Sequence, residues 1–454
     1  MRKDRVDMLS GSITKSLLSM IVPIMLTNVL TSLMNITDMT VLKIFSNEKA
    51  VGAVGACGAL ITLCTCLLIG ISTGANVIVA KRIGAGDKER ADKATMTAIM
   101  TAIVGGLALM VIGVLLAEPL LNLTNCPEGL MPQAIIYFRL YFVAMPLIML
   151  NTFFAAILRA TGDIKRPTRF SVTAATVKLV FTVFFAAVVK WDVEGVAIAT
   201  LIAQAFNVFL YLRRLLKHQS VVEVDFKKAK FDFVELKEML HIGIPAGVQS
   251  ALYSFANVVI VSTVNSFGEA ATTGISIANQ FDGILYQVIH APSVAVAPFV
   301  GQNMGARNIK RVKATFLRAV LIVTAFGATC GALSATFSRQ LASIMSDNPE
   351  AIEYARQKMI IVSSTYFISG INEVLAGVLR GIGKPIIPTV STLIFMCALR
   401  FVWVYVFFPL VPNMTFLYAV WPVGWVLCII TGLVAYFITM RKHERNMLAA
   451  SPAQ

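Results

Sequence analysis

Three acids stand where the sequence is otherwise apolar. Asp38 is the only acid in the stretch PIMLTNVLTSLMNITDMTVLKIF, from Pro23 to Phe45. A carboxylate in such a stretch costs about 2.5–3.5 kcal/mol at mid-membrane, so it usually faces an aqueous cavity or a partner and does a job there. The chemistry it offers is reversible binding of H⁺ or a small cation. Asn35 lies one turn before it on the same helical face, and Thr31 seven residues before. In the second half of the chain, Asp282 and Tyr286 are four residues apart, with His290 a further turn along. Glu373 has Asn372 beside it and Arg380 seven residues later. The basic residues noted inside apolar runs are Lys178 and Arg400. Together these give Asp38, Asn35, Asp282 and Glu373 as candidates for cation or proton coupling. Tyr286, His290, Asn372, Lys178 and Arg400 are candidates for a substrate cavity. Each has a structural alternative: Asp38 close enough to a helix end to reach water, Glu373 as partner of Arg380, His290 as a core histidine, Lys178 and Arg400 snorkelling or neutralising a buried acid.

The elements that must position these groups are membrane spans. Of 454 residues, 57% are hydrophobic and only 14% charged, against about 25% charged in an average soluble domain. Runs of roughly 20 or more apolar residues, each long enough to cross a bilayer as a helix, are expected at about 23–45, 51–80, 94–118, 134–158, 170–189, 195–212, 239–265, 273–301, 314–337, 355–379, 386–410 and 417–440. The net charge of +15 does not point to nucleic acid, because the basic residues fall in short clusters between spans rather than on one surface. Clusters such as Lys81, Arg82, Lys88 and Arg90, or Arg159, Lys165, Arg166 and Arg169, occupy alternate loops. The positive-inside rule then puts both termini in the cytoplasm. No cleavable signal peptide is expected, since the basic lead runs directly into a full-length span. The cysteines lack ligand spacing, and Cys64 and Cys66 point to different sides of a helix. An integral-membrane enzyme would need a catalytic cluster. With four histidines, two of them (His218 and His443) in expected loops, the chain has no HExxH, no loop DxxxD and no phosphate-cradling glycine loop.

The two halves repeat each other. Leu158-Arg159, Gly162 and Pro167-Thr168 recur as Leu379-Arg380, Gly383 and Pro388-Thr389 (380 − 159 = 221), and Gly84-Ala85 and Arg90 recur as Gly305-Ala306 and Arg311 at the same offset. Pro23 and Pro245, and likewise Lys178 and Arg400, are separated by 222. Six spans per repeat is an even number, so both repeats enter from the same side and are related by an axis along the membrane normal. The expected organisation is an N-terminal lobe at 1–217, a cytoplasmic linker at 218–238 and a C-terminal lobe with a basic tail at 239–454, flanking a central cleft.

With these motifs in order, the chain resembles the multidrug and toxic compound extrusion (MATE) transporters over nearly its whole length. The resemblance rests on Asp38 after Pro23, GANVIVAKRIGAGDKE, LRATGDIKRPT, GVAIATLIAQ, VGQNMGAR and EVLAGVLRGIGKPIIP. It implies an all-α integral membrane protein of twelve transmembrane helices in two pseudo-symmetric six-helix lobes. It also implies export of organic cations and amphipathic compounds by alternating access, driven by H⁺ or Na⁺, with an acid of the first helix at Asp38. Where many relatives have an acid in the fifth span this chain has Thr182, and where many Na⁺-coupled relatives have a glutamate in the seventh it has Tyr253. The second-lobe acids are instead Asp282 and Glu373, as in a branch common in anaerobic bacteria, and the reading leans to H⁺.

The expectation is therefore a cation-coupled antiporter of a bacterial plasma (inner) membrane. It is multi-pass, monomeric and not an enzyme, and it has no cofactor or metal beyond its coupling ion. Its partners are small amphipathic or cationic substrates and the lipid bilayer, not nucleic acid. The alternative is a flippase for lipid-linked oligosaccharides or another lipid-linked substrate. Lys178 and Arg400 favour it; twelve spans and three intramembrane acids count against it.

Overall fold

Backbone amides have no water to bond in hydrocarbon, so apolar runs of this length must close their hydrogen bonds internally, as helices. The computed structural model describes residues 5–46, 48–124, 126–215 and 231–449. Ten helices in it are long and apolar enough to cross a bilayer, and two bent pairs bring the spans to the expected twelve. We number them α1 (Ile13–Phe45), α2 (Glu48–Gly84), α3 (Lys88–Leu115), α4 (Met131–Val143 with Met145–Ala160), α5 (Lys165–Val189), α6 (Val193–Leu215), α7 (Phe233–Asn265), α8 (Glu269–Gly305), α9 (Ile309–Thr336), α10 (Pro349–Ser363 with Tyr366–Ile382), α11 (Ile386–Leu410) and α12 (Met414–Asn446). Large apolar side chains such as Val104, Leu115, Val180 and Val188 are exposed, as a lipid-facing surface requires. Several helices run further than their apolar cores. His443, expected in a loop, lies instead in the helical extension of α12.

The internal repeat extends to local geometry. Asp87 caps α3 by accepting from the Arg90 amide, and Asn308 caps α9 by accepting from Arg311 (308 − 87 = 221). α4 bends by 46° at Ala144, and α10 bends by 47° at Ser364–Thr365 (365 − 144 = 221). Gly162 and Gly383 end α4 and α10 with φ of +80° and +88°, the left-handed conformation that glycine adopts without strain. The bends are also packed alike: Gly106 of α3 lies against Pro146, and Gly327 of α9 against Phe367.

One difference in register has a visible cause. α5 carries a single π-helical stretch, Phe185–Val189, whereas α11 carries two, Leu393–Ala398 and Trp403–Phe407. A π-bulge adds one residue to a helix. The stretch at 393–398 therefore carries the offset from 221 at Thr389 to 222 at Arg400.

By contacts the chain divides into two units, one of Met1–Val6 with Leu26–Gly247 and the other of Asp7–Met25 with Val248–Gln454. Of the expected linker, residues 218–230 lie outside the described residues, and Phe233 already begins α7. In the first unit, the last turns of α2 pack on the first turns of α7 through facing glycines. A Cβ on Gly70 would come within 2.3 Å of the Gly247 nitrogen, and one on Gly74 within 2.1 Å of the Met239 carbonyl oxygen. Small residues let two backbones approach this closely. Beyond the glycines, Arg82 donates to Glu235 at 3.1 Å and to Glu238 at 2.8 Å. In the second unit, the segment before α1 is clasped by Arg311, which donates to the carbonyls of Met8 (2.9 Å), Ser10 (2.6 Å) and Gly11 (3.0 Å). Asn303 adds a bond of 3.0 Å to the Met8 carbonyl. The Met8 side chain is buried.

The α2–α7 contact gives a direct test. Gly74→Val should lower the thermal stability of the purified protein, since overpacking a close contact costs about 1–3 kcal/mol or more. Gly58→Ala, where nothing lies within 4 Å of the added carbon, should be neutral or stabilising by about 0.5–1 kcal/mol. Equal melting temperatures for the two variants would contradict the packing described.

Candidate functional site

The first-unit site joins α1 to α5. Asp38 is 8% exposed, and Lys178 donates to its Oδ2 at 2.6 Å. The carboxylate is therefore buried and paired. The Asn35 side chain lies outside the described residues. Thr182, one turn beyond Lys178 on α5, is buried, and its hydroxyl has no hydrogen-bond partner among the described residues. Of the two alternatives for Lys178, neutralising a buried acid is the one the geometry supports.

The second unit holds two further clusters. Asp282 of α8 forms an ion pair of 2.7 Å with Lys358 of α10; Lys358 also bonds Asn279, one turn before Asp282. Ser363 donates to Asp282 at 3.5 Å, and the Tyr366 hydroxyl reaches the Asp282 carbonyl at 3.3 Å. Sequence reasoning missed Lys358, although it falls inside the tenth expected span; Lys178 and Arg400 are thus not the only basic residues there. The signal was a lysine after the polar lead AIEYARQ, which reads as a helix start rather than a membrane position.

Glu373 is buried in α10 and faces the Arg380 guanidinium and the His290 imidazole, each at 4.0 Å. The expected Glu373–Arg380 partnership is present, and His290 joins it. Arg380 also donates to Ser293 at 3.4 Å. The rings of Tyr286 and His290 stack at 5.4 Å. Asn372 donates to the Tyr253 hydroxyl at 3.1 Å, so Tyr253 is engaged by a neighbour of Glu373.

Arg400 behaves differently from Lys178. It is 1% exposed, donates to Asn257 of α7 at 2.7 Å and lies over the Trp421 ring at 5.2 Å. Among the described residues, no carboxylate pairs with it. Of the candidate coupling residues, Asp38 belongs to the first unit, and Asp282 and Glu373 form separate clusters within the second. Among the described residues, no group of three or more His, Cys, Asp or Glu side chains could hold a metal ion.

Comparison with known proteins now gives this arrangement its family. The MatE family model matches twice, at residues 23–184 and 245–406, in the 222-residue register of the repeat. The probable multidrug resistance protein YpnP of Bacillus subtilis is 27% identical over 397 residues, covering 87% of this chain and 88% of that protein. The FAD transporter of Shewanella oneidensis is 25% identical over 402 residues, 86% of this chain and 87% of that protein. A solved structure of a multidrug resistance MATE family transporter of the MOP superfamily, in an outward-facing conformation, superposes with a TM-score of 0.90 at 19% identity over 97% of this chain and 98% of that one. With the family model on both halves and the twelve-span fold in common, the chain belongs to the MatE family of multi-pass membrane transporters.

Proposed function

We propose that this transporter is a proton-coupled antiporter. It exports organic cations and amphipathic drugs by alternating access, from a bacterial plasma membrane, as a monomer with both termini in the cytoplasm. The observation that carries the reading is the Asp38–Lys178 pair at 2.6 Å. Na⁺ needs several oxygen ligands around it, and here an ammonium already stands against the carboxylate. A proton needs only one oxygen. Protonating Asp38 cancels the attraction that holds Lys178, so the pair exists in two charge states with different local contacts. A bound ligand shifts a conformational equilibrium only through its differential affinity for the two states, and a pair whose contacts change on protonation supplies that difference. Asp282 beside Lys358 and Glu373 beside Arg380 are the second-unit candidates for the same role. The multidrug names of relatives such as YpnP support the substrate class.

The test is efflux of ethidium from proteoliposomes under an imposed pH gradient or an imposed Na⁺ gradient, applied separately. The pH gradient should drive efflux in the wild type, and Asp38→Asn should be silent while folding normally. Efflux driven by Na⁺ alone, or a fully active Asp38→Asn, would overturn the proposal. If neither gradient moves dye in folded protein, transport of a lipid-linked substrate takes its place.

Lys178→Met leaves Asp38 without its cation. Removing one member of a buried ion pair costs about 3–5 kcal/mol unless the remaining group neutralises. Coupled efflux should therefore fall at least about tenfold in Lys178→Met, with protein yield largely kept because Asp38 can take up a proton. Unchanged efflux in this variant would show that the pair has no part in coupling.

A further inference from the structure

The second repeat lacks the pair that marks the first. The position equivalent to Asp38 is Ile260 (38 + 222 = 260), and Arg400, the equivalent of Lys178, bonds Asn257 of α7. A carboxylate and an ammonium meet elsewhere in that unit, at Asp282 of α8 and Lys358 of α10. They belong to a polar cluster with Asn279, Ser334 of α9 and Ser363, in which Ser334 donates to Ser363 at 3.4 Å and Ser363 to Asp282 at 3.5 Å. In the first repeat the same five positions, at the constant offset of 221, are Gly58, Ile61, Gly113, Tyr137 and Phe142. Ile61, Tyr137 and Phe142 pack there in one hydrophobic cluster, and a Cβ on Gly113 would run into the Phe142 ring. The fold is thus satisfied by an apolar core at this place. Replacing a buried ion pair by apolar residues is often neutral or stabilising, so packing does not require the charges of the second repeat. Ionisable groups within spans ordinarily mark substrate or ion pathways.

The cluster has the composition of an ammonium receptor. Three groups converge on Lys358 Nζ: Asp282 Oδ2 at 2.7 Å, the side-chain oxygen of Asn279, and the face of Trp421 of α12, whose centroid is 5.5 Å away. The carboxylate answers the charge, and an indole face both attracts a cation and packs against its apolar substituents. The two members of the pair differ in access. The Lys358 side chain is 2% exposed and that of Asp282 12%, and Asn279 is exposed. The acid can therefore be approached, and Lys358 has a second acceptor in Asn279. Lys358 also stands directly before the π-helical stretch Met359–Ser363 and the bend of α10, a kind of irregularity frequent at functional sites.

We infer that Asp282 and Trp421 bind the ammonium group of a cationic substrate, and that Lys358 holds this place as a tethered competitor while no substrate is bound. The substrate class is an alkylammonium attached to an aromatic or apolar body. On arrival its cation takes Asp282 Oδ2 and the Trp421 face, and Lys358 keeps its bond to Asn279. In its absence Lys358 spares Asp282 an unpaired buried charge, which would be strongly destabilising. The inference rests on the transport reading only in taking organic cations as cargo. Of the second-unit candidates it leaves Glu373 to the proton.

The experiment compares dansylcadaverine, whose pentylammonium resembles a lysine side chain, with its uncharged analogue N-pentyl dansylamide, by fluorescence anisotropy with the full chain in detergent. Dansylcadaverine should bind the wild type saturably and more tightly than the analogue. Lys358→Met removes a tethered competitor of high effective concentration and should tighten dansylcadaverine by about tenfold. Asp282→Asn should weaken it by about tenfold or more, the loss of a charged contact. Trp421→Leu leaves the ion pair in place and should weaken it by about threefold. The analogue should bind alike to the wild type and all variants. A purely structural ion pair gives no gain in affinity in Lys358→Met, only a lower melting temperature, and that result would overturn the inference. So would equal affinities for the two dyes, or no saturable binding to either the wild type or Lys358→Met. Should Lys358→Met fail to fold, wild-type affinity in Trp421→Leu would overturn it instead. Because equilibrium binding needs no gradient, the site and the antiport reading can fail separately.

Discussion

A charge in an apolar interior must be answered by another charge or by hydrogen bonds, and this requirement organises the chain around a few side-chain pairs. Asp38 with Lys178 ties α1 to α5, and Asp282 with Lys358 ties α8 to α10. Glu373 sits between His290 and Arg380. Shifting either helix of a pair by one turn leaves an unpaired carboxylate and an unpaired ammonium. Between α8 and α10 the pair acts together with close backbone packing, since a Cβ on Gly377 would come within 2.7 Å of the Ser293 carbonyl oxygen.

The two repeats share one architecture and distribute charge differently within it. Bent helices, capping residues and the glycines beneath the bends recur at a constant offset. At the ends of α2 and α8 the pattern diverges: Arg82 binds two glutamates, and its equivalent Asn303 (82 + 221 = 303) binds a backbone carbonyl. Close to the candidate sites the divergence is larger, with an acid in one repeat and Ile260 in the other. Backbone geometry is shared because both repeats must satisfy the same packing. Side-chain charge is free to differ because each charged group need only be answered by its own neighbours.

Much of the fold was legible in the sequence, because span length and apolarity are local properties and the repeat is carried by glycine, proline and arginine at fixed spacing. Asp38, Glu373 and the Glu373–Arg380 partnership were legible for the same reason, since an acid in an apolar run, or a cation two turns along the same helix, can be read from one segment. The pairing of Asp282 with Lys358 was not, because it depends on which faces of α8 and α10 meet. The bend of α4 has Pro146 just after it as a local signal, but the equivalent bend of α10 has Phe367 in that place and no proline to announce it. The partner of Arg400 was hidden for a tertiary reason: nothing near it in sequence distinguishes a neutraliser of acids from a cation that lacks one.

The π-helical stretch at Leu393–Ala398 bears on how such differences arise. One residue added to a regular α-helix would turn everything beyond it by about 100°, whereas a π-helical stretch absorbs the extra residue without breaking the rod. In α11 the stretch keeps Arg400 on the face that Lys178 occupies in α5, although the prolines at the two helix starts keep the other spacing. Whether an insertion is absorbed in this way decides which side chain a finished helix presents to its neighbour. A duplicated transporter can re-aim one half of itself by this means while the other half keeps its original task.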